Sequence, residues 1–76
     1  MLKDEIITIL NDVDDDIVSY EGSNLLDDGI IDSFTIMEIV NDLSDKMNVK
    51  ITPSDITEDN FKTVDAIVTF VSSLLN

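Results

Sequence analysis

The chain has no cysteine, no histidine, no tryptophan and no arginine, and holds one proline and two glycines in 76 residues. Each absence removes a class of chemistry. Without cysteine there is no disulfide framework and no thiolate ligand or nucleophile, a composition that suits a reducing cytoplasm. Without histidine there is no imidazole base to activate a hydroxyl. Positive charge is also scarce: four lysines, Lys3, Lys46, Lys50 and Lys62, face seventeen acids, for a formal charge of −13. Such a surface repels nucleic acid and anionic lipid, and attracts basic patches on partner proteins in a salt-dependent way. Long apolar runs are missing too. Met1-Leu2-Lys3-Asp4-Glu5 lacks the apolar core of a secretory signal, and Ala66 to Leu75, broken by Thr69, Ser72 and Ser73, is too short to span a bilayer. The expectation is a cytoplasmic monomer with no membrane insertion.

What is present is periodic. Hydrophobic residues make up 43% of the sequence, enough for one small domain, 1–76, with a thin core. Leu2, Ile6, Ile9, Leu10, Val13 and Ile17 follow helical spacing and predict a first helix over about 2–13, which the following aspartates extend or end. From Ser19 to Asp32 turn formers dominate, so a long loop is expected, anchored to the core by Leu25, Leu26, Ile30 and Ile31. Ile36, Ile39, Val40, Leu43 and Met47 predict a second helix over about 33–47, ended by Asn48. Val49-Lys50-Ile51 alternates like a strand but has no partner strand, and is read as an extended link. Thr52-Pro53-Ser54-Asp55 opens a short turn, a brief helix follows near Glu58 to Phe61, and Thr63 caps a last helix carrying Val64, Ile67, Val68, Val71, Leu74 and Leu75. The fold class is therefore all-α: a small four-helix bundle with a long first loop and a short third helix.

Chemistry concentrates at Asp28-Gly29-Ile30-Ile31-Asp32-Ser33-Phe34, where a serine hydroxyl meets the amide-rich, positive start of a helix. If Asp32 is the N-cap, the Ser33 hydroxyl is spared that duty, and a phosphodiester on it gains about 0.3–1 kcal/mol from the helix dipole. Alternatively, Asp32 and Ser33 share the capping.

Three other readings fail on the residues. Asp12, Asp14 and Asp16 alternate like the opening of a calcium loop, but Ile17 and Ser23 stand where that loop needs a glycine and a bidentate glutamate. A serine hydrolase is excluded because Ser33 has neither a histidine nor a preceding lysine to activate it. Asp27 and Asp28 are neighbours in a flexible turn, a poor way to hold two carboxylates across a substrate. What remains is a contest between a serine that takes a covalent modification and an unmodified acidic helical interaction module.

Gly29-Ile30-Ile31-Asp32-Ser33-Phe34-Thr35-Ile36-Met37-Glu38-Ile39-Val40 resembles the phosphopantetheine attachment site of acyl and peptidyl carrier proteins, in which Asp-Ser-Leu or a close variant opens the second helix. Phe61-Lys62-Thr63-Val64-Asp65-Ala66-Ile67 looks like that family's approach to its final helix, so the similarity covers nearly the whole chain. The resemblance implies a four-helix fold, a 4′-phosphopantetheine arm placed on Ser33 by a separate phosphopantetheinyl transferase using coenzyme A, and a role for Asp32 in engaging that transferase. The arm would hold an acyl or aminoacyl group as a thioester, supplied by a loading ligase and collected by a downstream acyltransferase or synthase. The working thiol would then belong to the cofactor, in keeping with a chain that lacks cysteine.

The resemblance also implies a recognition surface on the second helix, here Phe34, Met37, Glu38, Asp42 and Asp45. Spacing agrees in part: Ser33 and Met37 share a face, and Phe34, Glu38, Asp42 and Asp45 form the neighbouring line. Phe34 and Met37 fall off the buried stripe and read either as apolar contacts inside an acidic rim or as side chains partly buried against Ile30 and Ile31. Fatty-acid carriers bear a denser run of glutamates here, whereas Asn41 and Ser44 interrupt the acids of this chain. The Gly-Ile-Ile-Asp-Ser opening and Glu58-Asp59-Asn60-Phe61 look closer to stand-alone aminoacyl carriers, D-alanyl carriers of teichoic acid modification among them, and to peptidyl carrier domains.

Overall fold

The computed structural model describes residues 2–75. Helix α1, Leu2–Val13, turns Ile6, Ile9 and Leu10 inward. It stops where Asp14 adopts an extended backbone and its carboxylate accepts the Asp16 amide at 2.9 Å. That cap starts a separate one-turn helix, α2, Asp15–Ser19, whose first turn carries Asp15 and Asp16 where the helix dipole favours negative charge. Ile17, which shares the spacing of the α1 stripe, is fully buried, but it reaches the core from α2. The aspartates thus end one helix and begin another.

After the loop, α3 (Ser33–Met47) buries Ile36, Ile39 and Leu43. It ends at Asn48, the one non-glycine residue with a left-handed backbone among those described, φ 55°. Val49-Lys50-Ile51 forms neither helix nor strand, and Val49 is buried. Pro53–Asp55 forms a single 3₁₀ turn closed by Asp55, whose carboxylate accepts both the amide and the hydroxyl of Thr52 at 3.0 Å. Helix α4, Glu58–Phe61, is capped by Thr57, and α5, Val64–Leu75, by Thr63, whose hydroxyl oxygen accepts the Ala66 amide at 3.0 Å.

The helices meet with α1 at the centre, packed on α2, α3 and α5, while α4 lies on α5. Ile6, Leu10, Ile17, Leu25, Ile39, Leu43, Phe61, Ile67 and Val71 are all fully buried. Each such burial contributes about 1.5–3 kcal/mol before the entropy of ordering is subtracted. Phe61 and Phe70 stack tilted, ring centroids 5.8 Å apart, and fasten α4 to α5. No polar side chain is buried among the described residues. The fold is all-α, with the four expected helices present as α1, α3, α4 and α5 and the short α2 added between the first two.

Candidate functional site

The loop before α3 is a built structure. Leu25 and Ile31 are buried, and Leu26 and Ile30 pack half-buried against the same core. The Leu25 amide donates to the Lys62 carbonyl at 2.6 Å, and the Leu25 carbonyl accepts the amides of Ile30 and Ile31 at 2.9 and 3.3 Å. A tight turn lies between them, closed by Gly29 N–H donating to the Leu26 carbonyl. Gly29 takes a left-handed φ of 73°, where a side chain costs strain. The chain therefore reaches Asp32 from a fixed direction.

Asp32 is the N-cap of α3. Its Oδ1 accepts the Thr35 amide at 3.0 Å and the Thr35 hydroxyl at 3.1 Å, and its carbonyl accepts the Ile36 amide. These hydrogen bonds, the Thr35 amide foremost, hold the Asp32 carboxyl below its ordinary 3.8. Of the two capping schemes open to the sequence, the structure adopts the first. Ser33, exposed at the first helical position, takes part in none of the side-chain hydrogen bonds among the described residues. The first turn of α3 holds no acid, and the amides of Ser33 and Phe34 precede the point where helical carbonyls can accept them. A phosphodiester on Ser33 fits this position: room at the surface, a spare hydroxyl and the amide-rich start of α3 beside it.

Around Ser33, Phe34 is 82% exposed and Met37 58% exposed, so Phe34 stands largely in solvent and Met37 is partly covered. Glu38 and Asp45 are exposed and Asp42 half-buried, giving an apolar pair followed along α3 by a line of acids. Asp14, Asp15 and Asp16 also come together, their carboxylate oxygens within 4.8 Å of one another, but Asp14 is already engaged as the α2 cap.

Sequence reasoning missed a second layer behind the serine. The Tyr20 hydroxyl donates to Asp28 at 2.5 Å and accepts the Asn24 amide at 2.8 Å. Asn24 Oδ1 accepts the amides of Leu26 and Asp27, and its Nδ2 donates to Glu58 at 2.8 Å. The readable signal was Asn24 ahead of four non-proline residues in a turn-rich stretch, the setting for an Asx turn; nothing in the spacing pointed to Tyr20.

Ser33 is thus an exposed serine with a spare hydroxyl, set at the start of a capped helix in an acidic chain that has no histidine. Residues 2–71 match the model of the family described as the phosphopantetheine attachment site, and the chain belongs to that family. It is similar, at 31% identity over 97% of its own length and 96% of the relative's, to a D-alanyl carrier protein of Leuconostoc mesenteroides subsp. mesenteroides. A D-alanyl carrier protein of Leuconostoc citreum is 28% identical over the same shares. The protein is thus a carrier, and its prosthetic group is covalently attached 4′-phosphopantetheine.

Proposed function

We propose that Ser33 is the attachment point of the arm, and that the protein presents an aminoacyl cargo, D-alanine, to partner enzymes while catalysing nothing itself. The observation that carries the first part is the division of labour between neighbours: Asp32 does all the capping and Ser33 none. When bound, 4′-phosphopantetheine supplies a terminal thiol that holds the cargo as a thioester. The chain's own part is to hold the Ser33 oxygen at the surface, where the positive start of α3 would favour a phosphate, and to keep the neighbouring face open. With no histidine in the chain, the proton leaving Ser33 is taken by a group of the transferase.

Partner choice rests on the α3 face. Phe34 and Met37 offer an apolar contact beside Glu38, Asp42 and Asp45, which suits a transferase, a loading ligase and a downstream acyltransferase that each present a basic rim around an apolar pocket. No helix among the described residues is long and apolar enough to cross a membrane. The carrier works in the cytoplasm, where coenzyme A is at hand and reducing conditions keep the arm's thiol free. The D-alanyl cargo is supported by the two Leuconostoc relatives, each similar over nearly the full chain.

Incubation with coenzyme A and a broad-specificity phosphopantetheinyl transferase should add the mass of one 4′-phosphopantetheine, and Ser33→Ala should take none. Unchanged wild-type mass with several competent transferases leaves the unmodified interaction module in its place. The modified protein should then gain D-alanine from an ATP-dependent D-alanine ligase; loading with a fatty acid in preference would assign the protein to acyl-chain building instead.

A further inference from the structure

The bonds that fix the loop ahead of Ser33 converge on one phenol. Tyr20 follows α2 directly, and its hydroxyl is both donor and acceptor, giving its proton to Asp28 at 2.5 Å and receiving the Asn24 amide at 2.8 Å. Those contacts hold the segment from both sides, because Asn24 precedes the turn and Asp28 lies within it, directly before the Gly29 that closes it. On the far side the same segment is held to α4 by the Asn24 amide group on Glu58 and by the Leu25 amide on the Lys62 carbonyl. The loop that delivers Asp32 and Ser33 is therefore slung between α2 and α4, with Tyr20 the sole tyrosine of the chain and its tie to α2.

The rest of the neighbourhood is shaped around that ring. A Cβ at Gly22 would fall inside the Tyr20 ring and hydroxyl, so the chain doubles back over the ring at one of its two glycines. Desolvation, followed by the hydrogen bond to Asp28, pushes the phenol above its ordinary 10.0, which keeps the proton on the oxygen and the donor in place at any working pH.

We infer that Tyr20 is a positioning residue for the modification at Ser33, holding through Asn24 and Asp28 the loop conformation in which a phosphopantetheinyl transferase finds the serine. The inference rests on the reading of Ser33 as the attachment point. The hydrogen bonds of the Tyr20 hydroxyl go to Asp28 and Asn24, and none joins it to Ser33. Its effect is on the fraction of molecules whose loop is already in the competent form, and a transferase that binds only that form sees its apparent affinity fall in proportion to the fraction lost.

The test uses the full chain, coenzyme A and a phosphopantetheinyl transferase. Tyr20→Phe removes one oxygen and leaves ring and charge unchanged. Both hydrogen bonds of the phenol go with that oxygen, so KM for the chain should rise at least about fivefold, the factor a single such bond supplies, with kcat unaltered. Amide exchange should quicken over residues 24–31 while Ile9 in α1 and Val71 in α5 keep their wild-type protection. Asp28→Asn and Asp28→Ala both lose the charge, but only asparagine keeps an acceptor for the phenol, so Asp28→Asn should be the better substrate. Wild-type kinetics in Tyr20→Phe, equal behaviour of the two Asp28 variants, or protection lost evenly through α1 and α5 would each overturn the inference. A wild-type chain that takes no phosphopantetheine sinks the reading of Ser33 and this one with it; a modified wild type with an indifferent Tyr20→Phe removes only the role of Tyr20.

Discussion

Asp32 and Thr35 are joined twice, the carboxylate oxygen of one accepting the amide of the other at 3.0 Å and its hydroxyl at 3.1 Å. The double contact spans the residue that matters. With Thr35 satisfying Asp32, the cap is complete without Ser33, and the serine is left at the surface with its hydroxyl unspent. The same acid thus stabilises α3 and leaves its neighbour's hydroxyl unengaged.

That dual role separates in two substitutions. Asp32→Ala removes the cap and should cost about 1 kcal/mol of stability, read from the midpoint of urea unfolding. Asp32→Asn keeps an oxygen able to accept the Thr35 amide and should stay within a few tenths of a kcal/mol of wild type. Any further loss of phosphopantetheinylation in Asp32→Asn then reports the negative charge alone. Equal destabilisation by the two variants would show that capping is not what Asp32 contributes.

The cap also has a pH signature. The Asp32 carboxyl titrates below 3.8 in the folded chain because the Thr35 amide and hydroxyl stabilise its charged form. A lowered folded value means the acid's contribution to stability is fully present above the ordinary carboxyl pKa and is lost as the pH falls through the lower one. The Thr35 amide chemical shift, followed by NMR, should titrate with a midpoint under 3.8, and the step should vanish in Asp32→Asn. A midpoint at or above 3.8 contradicts the hydrogen-bonded cap.

Much of this was legible in the sequence because it depends on neighbours along the chain. The stripes of Ile6, Ile9 and Leu10, of Ile36, Ile39 and Leu43, and of Ile67 and Val71 repeat at helical spacing, so the long helices follow from period alone. The caps at Asp32 and Thr63 and the stop at Asn48 are local residue chemistry. The break at Asp14 is harder to read, since Ile17 continues the apolar spacing of α1 and gives no sign that the backbone has been interrupted. Least legible was the Tyr20, Asn24, Asp28 and Glu58 network. Glu58 and Asn24 are 34 residues apart, and only the seating of the loop against α4, where the Leu25 amide meets the Lys62 carbonyl, brings them together. The exposure of Phe34 was undecided for a similar reason, because a residue off the stripe can fold onto a loop or stand free depending on where the loop runs.

Exposure now makes the α3 face a test of recognition apart from folding. Phe34 and Met37 are 82% and 58% exposed, so alanine at either should change stability by less than about 0.5 kcal/mol. Ile39, fully buried on the same helix, should cost about 2–5 kcal/mol when cut to alanine. Capture by the transferase or loading ligase, measured by surface binding at low salt, should weaken for Phe34→Ala, Met37→Ala and the pair Glu38→Lys with Asp42→Lys. Wild-type capture in all three would detach this face from partner choice.

The two glycines are required for different reasons, and substitution can tell those reasons apart. At Gly29, φ 73° is the obstacle, and a Cβ there meets nothing within 4 Å. Gly29→Ala should therefore cost about 1–2 kcal/mol through backbone strain alone. Gly29→Asn should cost less, because asparagine tolerates the left-handed region. At Gly22 the obstacle is the Tyr20 ring, which a Cβ would overlap. Gly22→Ala should destabilise the wild-type chain and lose that penalty when Tyr20→Ala has removed the ring, a coupling that a double-mutant cycle of urea midpoints measures. If Gly22→Ala is equally harmful with and without the ring, its cost lies in the backbone, and the loop is not built around Tyr20.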